Sequence, residues 1–249
     1  MSQTTASSGP PVEAGDEPAL VSERHGPVLR IVLNRPSKRN ALDTRLLDAL
    51  STVLAGVEQD ASVNAVVLTG AGNVFCAGVD LREMEGRRDP SAARNRLELL
   101  ASVQLRLAGL AVPVVVGVNG PAVGAGAVLA LCGDVVVMAG QASLAFPELS
   151  KGIAPYMVTP LLTHCVGRLA AFELLARGTP VSAADALGRG WATAVVPAER
   201  LAQETDGWAQ TIAGVPRTIM SRTRSLMRAA RGDAWVDALS RALDCYDTE

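Results

Sequence analysis

An α/β fold with mostly parallel strand pairing, followed by an all-helical last quarter, is predicted by three features of this sequence. Short, continuously apolar runs alternate with amphipathic helical stretches. Glycine-rich turns connect several of those runs to the helices that follow. After Pro160 the strand signals stop. Strand-helix alternation at this spacing favours parallel pairing, because a parallel crossover needs a dozen or more residues.

Residues 1–18 are rich in Ser, Thr, Gly, Pro and Glu, lack apolar periodicity and read as a disordered tail. A core is expected over residues 19–197. Val28–Leu33 is its first strand. Asp43 or Thr44 caps a helix whose apolar face carries Leu46, Leu47, Leu50, Val53, Leu54 and Val57. Residues 65–69 form a short apolar strand, as expected for one covered on both faces. A second helix spans 92–108, with Leu97, Leu100, Gln104 and Leu107 on one line. Val114–Val118 is a third strand, 124–131 a short small-residue helix, and 135–138 and 143–146 the fourth and fifth strands. Helices follow over 169–177, ended by Gly178, then from Ser182, with Asp185 at the capping-box position. Residues 202–213 and 218–246 are further helical stretches. Residues 198–249 thus form a helical segment suited to packing on its own core or on a neighbouring subunit.

Composition narrows the function. Apolar residues make up 49% of the 249 and aromatics only 3%, so the core packs small and branched side chains. With 23 basic and 25 acidic residues, no basic field calls for nucleic acid. The most apolar stretch, residues 110–130, is interrupted by Pro113, Gly117, Asn119, Gly120 and Pro121 and does not read as a membrane span. Four cysteines without C-x-x-C spacing, and only two histidines, argue against a zinc site. The polar first twenty residues do not read as a signal peptide. A reduced, cytoplasmic protein without a metal is expected.

Three segments carry possible chemistry. Residues 70–81 follow a strand and are glycine-rich. Gly78 can adopt dihedrals that aim the next N–H outward, although a tight strand-to-helix turn would use the same residues. Residues 119–128 again run from a strand into a glycine-rich helix start. Free N–H groups and the helix dipole there would stabilise a developing oxyanion, although close helix–strand packing needs small residues too. Finally, Phe146-Pro147-Glu148 precedes Gly152-Ile153-Ala154-Pro155-Tyr156. A carboxyl in apolar surroundings has a raised pKa suited to proton transfer; a surface glutamate at a strand end is the structural alternative.

In this order the segments resemble the crotonase (enoyl-CoA hydratase/isomerase) superfamily. Leu33-Asn34-Arg35-Pro36 with Asn40-Ala41-Leu42 is similar to its NRP…NAL segment, and Phe75-Cys76-Ala77-Gly78-Val79-Asp80-Leu81 to its F-x-A-G-x-D-L. Residues 118–126 resemble V-N-G-x-A-x-G-G-G, Pro147-Glu148 with Gly152–Pro155 resembles P-E…G-x-x-P, and Ala183 to Pro197 resembles A-x-E-A…V-V-P. The resemblance implies a crotonase-like spiral of ββα repeats with a C-terminal helical segment, a homotrimer or hexamer, and an acyl-CoA thioester substrate. Coenzyme A would be part of that substrate, with no separate cofactor. It further implies an oxyanion hole made by the N–H groups of Val79 and Ala125, with donors worth about 2.7–4 kcal/mol each in the transition state. CoA contacts map to Val79, Asp80, Leu81 and Arg82, with Arg39 near the phosphates and Ala77 and Gly124 against the substrate.

The chain departs from the family pattern in three places. Hydratases of this family activate one water with two glutamates. One matches Glu148; the other falls on Val128, which can neither hold nor deprotonate water. A single glutamate suffices for double-bond isomerisation, which is therefore favoured over hydration; a C–C lyase or decarboxylase is an alternative. Tyr156, eight residues after Glu148, stands where several members carry a second catalytic carboxylate; its phenol could donate a proton or pack at the pocket rim. The chain ends in Asp-Cys-Tyr-Asp-Thr-Glu, where relatives continue into a last helix that lids the acyl pocket, so a more open pocket is expected. The leading expectation is single-glutamate proton transfer on an acyl-CoA enolate. The alternative is a catalytically weak paralogue that binds acyl-CoA or assembles with a partner.

Overall fold

The computed structural model describes residues 17–85, 90–232 and 234–246. In chain order the elements begin with β1 (Leu20–His25), β2 (Val28–Leu33), α1 (Thr44–Gln59), β3 (Ala65–Gly70), α2 (Leu81–Glu85), α3 (Pro90–Gly109) and β4 (Val114–Val118). Then come β5 (Ala122–Val123), α4 (Ala125–Leu131), β6 (Val135–Ala139), β7 (Ser143–Ala145), α5 (Thr159–Val166) and α6 (Arg168–Arg177). The chain finishes with β8 (Val181–Ser182), α7 (Ala183–Gly188), β9 (Ala194–Val196), α8 (Leu201–Ala213), α9 (Arg217–Arg231) and α10 (Ala234–Tyr246). Residues 1–16 of the expected tail lie outside the described residues.

Six strands form the main sheet in the order β1-β2-β3-β4-β6-β9, and β5-β7-β8 form a smaller one. Every pairing in the main sheet is parallel except β1 with β2. The interior strands β3, β4 and β6 are mostly apolar runs of valine, leucine, alanine and methionine, with Thr69 and Gly70 ending β3 and Gly117 within β4. They are covered on both faces, which is why alternation is absent from their sequences. Asp43 caps α1 by accepting a hydrogen bond from Leu46 N at 2.8 Å, and Leu46, Leu47, Leu50, Leu54 and Val57 are buried.

Four expectations are corrected. A strand precedes Val28: β1 forms an antiparallel hairpin with β2, and its exposed Ser-Glu-Arg-His run hides it from any apolar pattern. Strands also continue beyond Pro160, because β8 and β9 join the two sheets. Phe146 lies just beyond β7. The stretch 218–246 is two helices, broken at Gly232 with φ +77°. The C-terminal helices pack on their own chain: α8 lies on β3, β4 and β6, and α10 on α5 and α3. Among the described residues no helix is long and apolar enough to cross a membrane.

Candidate active site

The loop between β3 and α2 is held by a residue that sequence reasoning passed over. Asn40 is fully buried, with φ +53°. Its Nδ2 donates to Ala71 O at 2.9 Å, Val74 O at 2.8 Å and Phe75 O at 3.2 Å, while its Oδ1 accepts from Arg35 N at 2.9 Å. A buried amide can stay in a core only if its polar atoms are matched. Here they are matched by carbonyls of the glycine-rich turn, of which Val74 O also accepts from Asn119 Nδ2 at 3.4 Å. Arg35 acts beside it, with Nη2 2.9 Å from Asp43 and 3.2 Å from Asp80. Nη1 of Arg35 also donates to Ala41 O. Residue 42 then bridges to Val79 as a parallel pair, through Leu42 N to Gly78 O and Asp80 N to Leu42 O.

That pairing leaves Val79 N–H pointing elsewhere. Gly78 has φ +86°, and a β-carbon there would lie 2.8 Å from Val123 O and 3.8 Å from Ala125 N. The absence of a side chain therefore lets the Val79 loop run directly against the N-terminus of α4. Ala125 opens that helix, so its N–H has no intrahelical acceptor. Among the described residues, neither Val79 N–H nor Ala125 N–H is taken by an acceptor.

Glu148 completes the arrangement. It follows β7 and starts a 3-10 turn, and Ile153 N donates to its carbonyl at 2.9 Å. Its side chain lies over Gly124, and its Oε2 is buried without a hydrogen-bond partner. Burial raises the Glu148 pKa above the ordinary glutamate value; its own backbone hydrogen bond and the Lys151 charge offset this only in part. A carboxyl of this kind is poised for proton transfer nearer neutral pH than a solvated one.

These groups share a cavity of about 250 Å³. Its apolar wall includes Leu42, Leu47, Leu97, Leu100, Met157 and Val158. Its polar groups belong to Asp80, Glu83, Arg96, Glu148, Tyr156 and Tyr246. Of the residues singled out in the sequence, Val79, Asp80, Ala125, Glu148 and Tyr156 meet in this cavity, and Gly124 packs against Glu148. Arg39, Leu81 and Arg82 are exposed and Ala77 is half-buried; none of the four lines the cavity. Asp80 both faces the cavity and caps α2, its Oδ1 accepting from Arg82 N at 3.2 Å. Val128 is fully buried in the core and absent from the cavity wall.

Helix α10 reaches the cavity: Tyr246 lines it, and its ring meets the Tyr156 ring edge-on, with centroids 6.1 Å apart at 86°. The signal that could have shown this was the apolar period of residues 234–246 ending on a tyrosine. Gln104 supports the same wall, with Nε2 donating to Met157 O at 3.0 Å. Cys76 is buried below the site, and burial pushes its thiol up to about 12, which removes it as a nucleophile. Among the described residues no three His, Cys, Asp or Glu side chains are grouped to hold a metal.

Comparison with known proteins identifies the family and the fold. Residues 23–246 match the family model described as enoyl-CoA hydratase/isomerase. A Thermus thermophilus protein provisionally named an enoyl-CoA hydratase is 35% identical over 215 residues, covering 86% of this chain and 85% of that one. Rat enoyl-CoA hydratase domain-containing protein 3 is 31% identical over 85% of this chain and 71% of its own length. Among solved structures, an enoyl-CoA hydratase from Mycobacterium smegmatis superposes with a TM-score of 0.83 at 32% identity, covering 92% of this chain and 91% of that one. An enoyl-CoA hydratase/isomerase from Mycobacterium paratuberculosis gives 0.85 at 28% identity over 92% of each. The chain therefore has the crotonase fold and belongs to the enoyl-CoA hydratase/isomerase family.

Proposed function

We propose that this family member moves a proton within an acyl-CoA thioester through Glu148 alone, favouring double-bond isomerisation over hydration. The thioester oxygen accepts from the N–H groups of Val79 and Ala125, which stabilise the enolate. From a 3-enoyl thioester, Glu148 takes a proton from C2, and the electron pair enters the dienolate. The same carboxylic acid then returns the proton to C4 as the double bond moves to C2–C3. No oxidant, metal or separate cofactor takes part; coenzyme A enters with the substrate. Tyr156 offers a phenol to the substrate from the facing wall, and Arg39, Ala77, Leu81 and Arg82 meet the CoA portion outside the cavity.

The observation that carries this reading is one desolvated carboxyl beside two unclaimed N–H groups, with no second free carboxyl among the described residues of the cavity. Val128 supplies only apolar bulk in the core. Asp80 is engaged by Arg35, and Glu83 Oε2 accepts from both Thr44 N and Thr44 Oγ1 at 3.0 Å. Water addition needs a second group to hold and orient the water.

The test compares 3-hexenoyl-CoA with crotonyl-CoA. The expected result is conversion of the first to its conjugated isomer, with little hydration of the second. Glu148→Gln should lose about 10²–10⁴ in rate. Hydration as fast as isomerisation, or full turnover by Glu148→Gln, overturns the reading.

The reading extends to a cytoplasmic homotrimer or hexamer. Leu169 and Phe172 on α6, and Ile219, Leu226 and Met227 on α9, are large apolar side chains left exposed by the single chain. Such patches favour covering by another copy. Light scattering on the purified protein should give a trimer mass or twice it.

A further inference from the structure

Among its described residues the cavity holds one basic side chain, and proton transfer does not use it. Helix α3 turns Ala93, Arg96, Leu97 and Leu100 toward the cavity, at the three- and four-residue spacing of one helical face. Arg96 is half-buried on that face. Among the described residues it has no ion pair and no hydrogen bond. Arg94, two residues earlier, is by contrast occupied, with Nε 2.7 Å from Glu98 and Nη1 3.0 Å from Leu243 O.

The acids of the same cavity do not neutralise Arg96. Asp80 is bound to Arg35, Glu83 is held by Thr44, and Glu148 makes no ion pair with Arg96 among the described residues. The cavity therefore presents a guanidinium, always protonated, whose donors are unclaimed. Desolvating such a group against Leu97 and Leu100 is unfavourable unless a ligand supplies an anion. A planar fork of N–H donors matches a carboxylate.

We infer that Arg96 selects acyl-CoA substrates whose acyl chain carries a second carboxylate at its far end, the monothioesters of short dicarboxylic acids. The inference rests on the acyl-CoA reading above and names the substrate class of that site. The thioester end lies at Val79 and Ala125, and the distal carboxylate ends at Arg96 on the α3 wall.

The test is calorimetric binding of glutaryl-CoA and pentanoyl-CoA, saturated ligands of equal carbon number that differ in the terminal carboxylate. The wild-type protein should bind glutaryl-CoA at least about tenfold more tightly. Arg96→Met should bring the ratio of the two affinities close to one, and Arg96→Lys should keep part of it. Thermal melts of both variants check that the fold is intact. Equal wild-type affinities overturn the inference, as does a ratio that survives Arg96→Met. Equal weakening of both ligands by Arg96→Met also overturns it and assigns the arginine to the CoA phosphates. If neither ligand binds the wild type, the acyl-CoA reading itself fails and this inference fails with it. Binding of both with equal strength leaves the acyl-CoA reading standing.

Discussion

The carboxyl of Glu148 occupies the space that a β-carbon on Gly124 would need: built there, that carbon would overlap Glu148 Oε1. Gly124 also has φ +54° and ψ −122°, a conformation that residues with a side chain rarely adopt. The glycine therefore does two jobs, turning the chain into α4 and leaving room for the Glu148 carboxyl. Gly124→Ala should push the Glu148 carboxyl out of its place in the cavity and lower kcat by about 100-fold, the cost of an ångström-scale misplacement. Steady-state kinetics alongside a thermal melt check this; a variant that keeps its kcat would show that the Glu148 position is not critical.

Burial of Glu148 has consequences for both activity and stability. The proton-accepting form is the carboxylate, so kcat/KM should fall as pH drops through the raised pKa, and the Glu148→Gln profile should lose that limb. The stability effect runs in the opposite direction. The folded state holds this proton more firmly than the unfolded state, so stability declines as pH rises from the ordinary glutamate value through the raised one. Above that window the folded protein carries a desolvated charge. Glu148→Gln should therefore be more stable than wild type at pH 7.5, and the gain should vanish at a pH below the ordinary glutamate value. Urea unfolding at the two pH values measures this.

How much of this was legible in the sequence depended on whether a residue's role was local. β3, β4 and β6 show as continuous apolar runs because both faces are covered, and Asp43 shows as a cap because capping spans only three residues. The motifs holding Val79, Ala125 and Glu148 were legible as family patterns, and the structure brings all three to one cavity. β1 was not legible, because an edge strand with exposed Ser22, Glu23, Arg24 and His25 carries little apolar signal. Arg96 and Tyr246 were not legible individually as cavity residues, because the sequence leaves open the register in which their helices face the pocket. They are about 150 positions apart, and only the packing of α10 near α3 brings them to one cavity.

Asn40 should be as sensitive as any residue that touches substrate. Asn40→Ala takes the Asn40 donor from the carbonyls of Ala71, Val74 and Phe75, leaving Val74 O only its longer bond from Asn119 Nδ2. Each lost match in a buried site costs about 1 kcal/mol or more, so a total loss of about 2–3 kcal/mol is expected. The loop carrying Gly78 and Val79 should also loosen, raising KM and lowering kcat together. Denaturant unfolding and steady-state kinetics on one preparation test both effects. Asn40→Asp keeps the shape but replaces the donor with an acceptor, and it should be no better than alanine.

Arg224 gives the opposite prediction, a loss of stability without a loss of chemistry. It is buried on α9, with Nε 2.9 Å from Asp134 Oδ1 and Nη1 2.9 Å from Val112 O; Nη1 also donates to Leu110 O. Asp134 in turn accepts from Val114 N at 2.8 Å, so one ion pair ties α9 to the start of β4 and the turn before β6. None of these residues lines the cavity. Arg224→Met removes the cation but leaves Asp134 and two carbonyls unmatched, and should cost about 2–3 kcal/mol. Because Asp134 keeps its bond to Val114 N, adding Asp134→Asn should recover part of that loss by removing the unpaired charge. A double-mutant cycle in urea isolates the pair, and kcat/KM of both variants at a temperature well below their melts should stay within about twofold of wild type. A tenfold drop there would mean that α9 controls the cavity from a distance and that the separation of clasp from site is wrong.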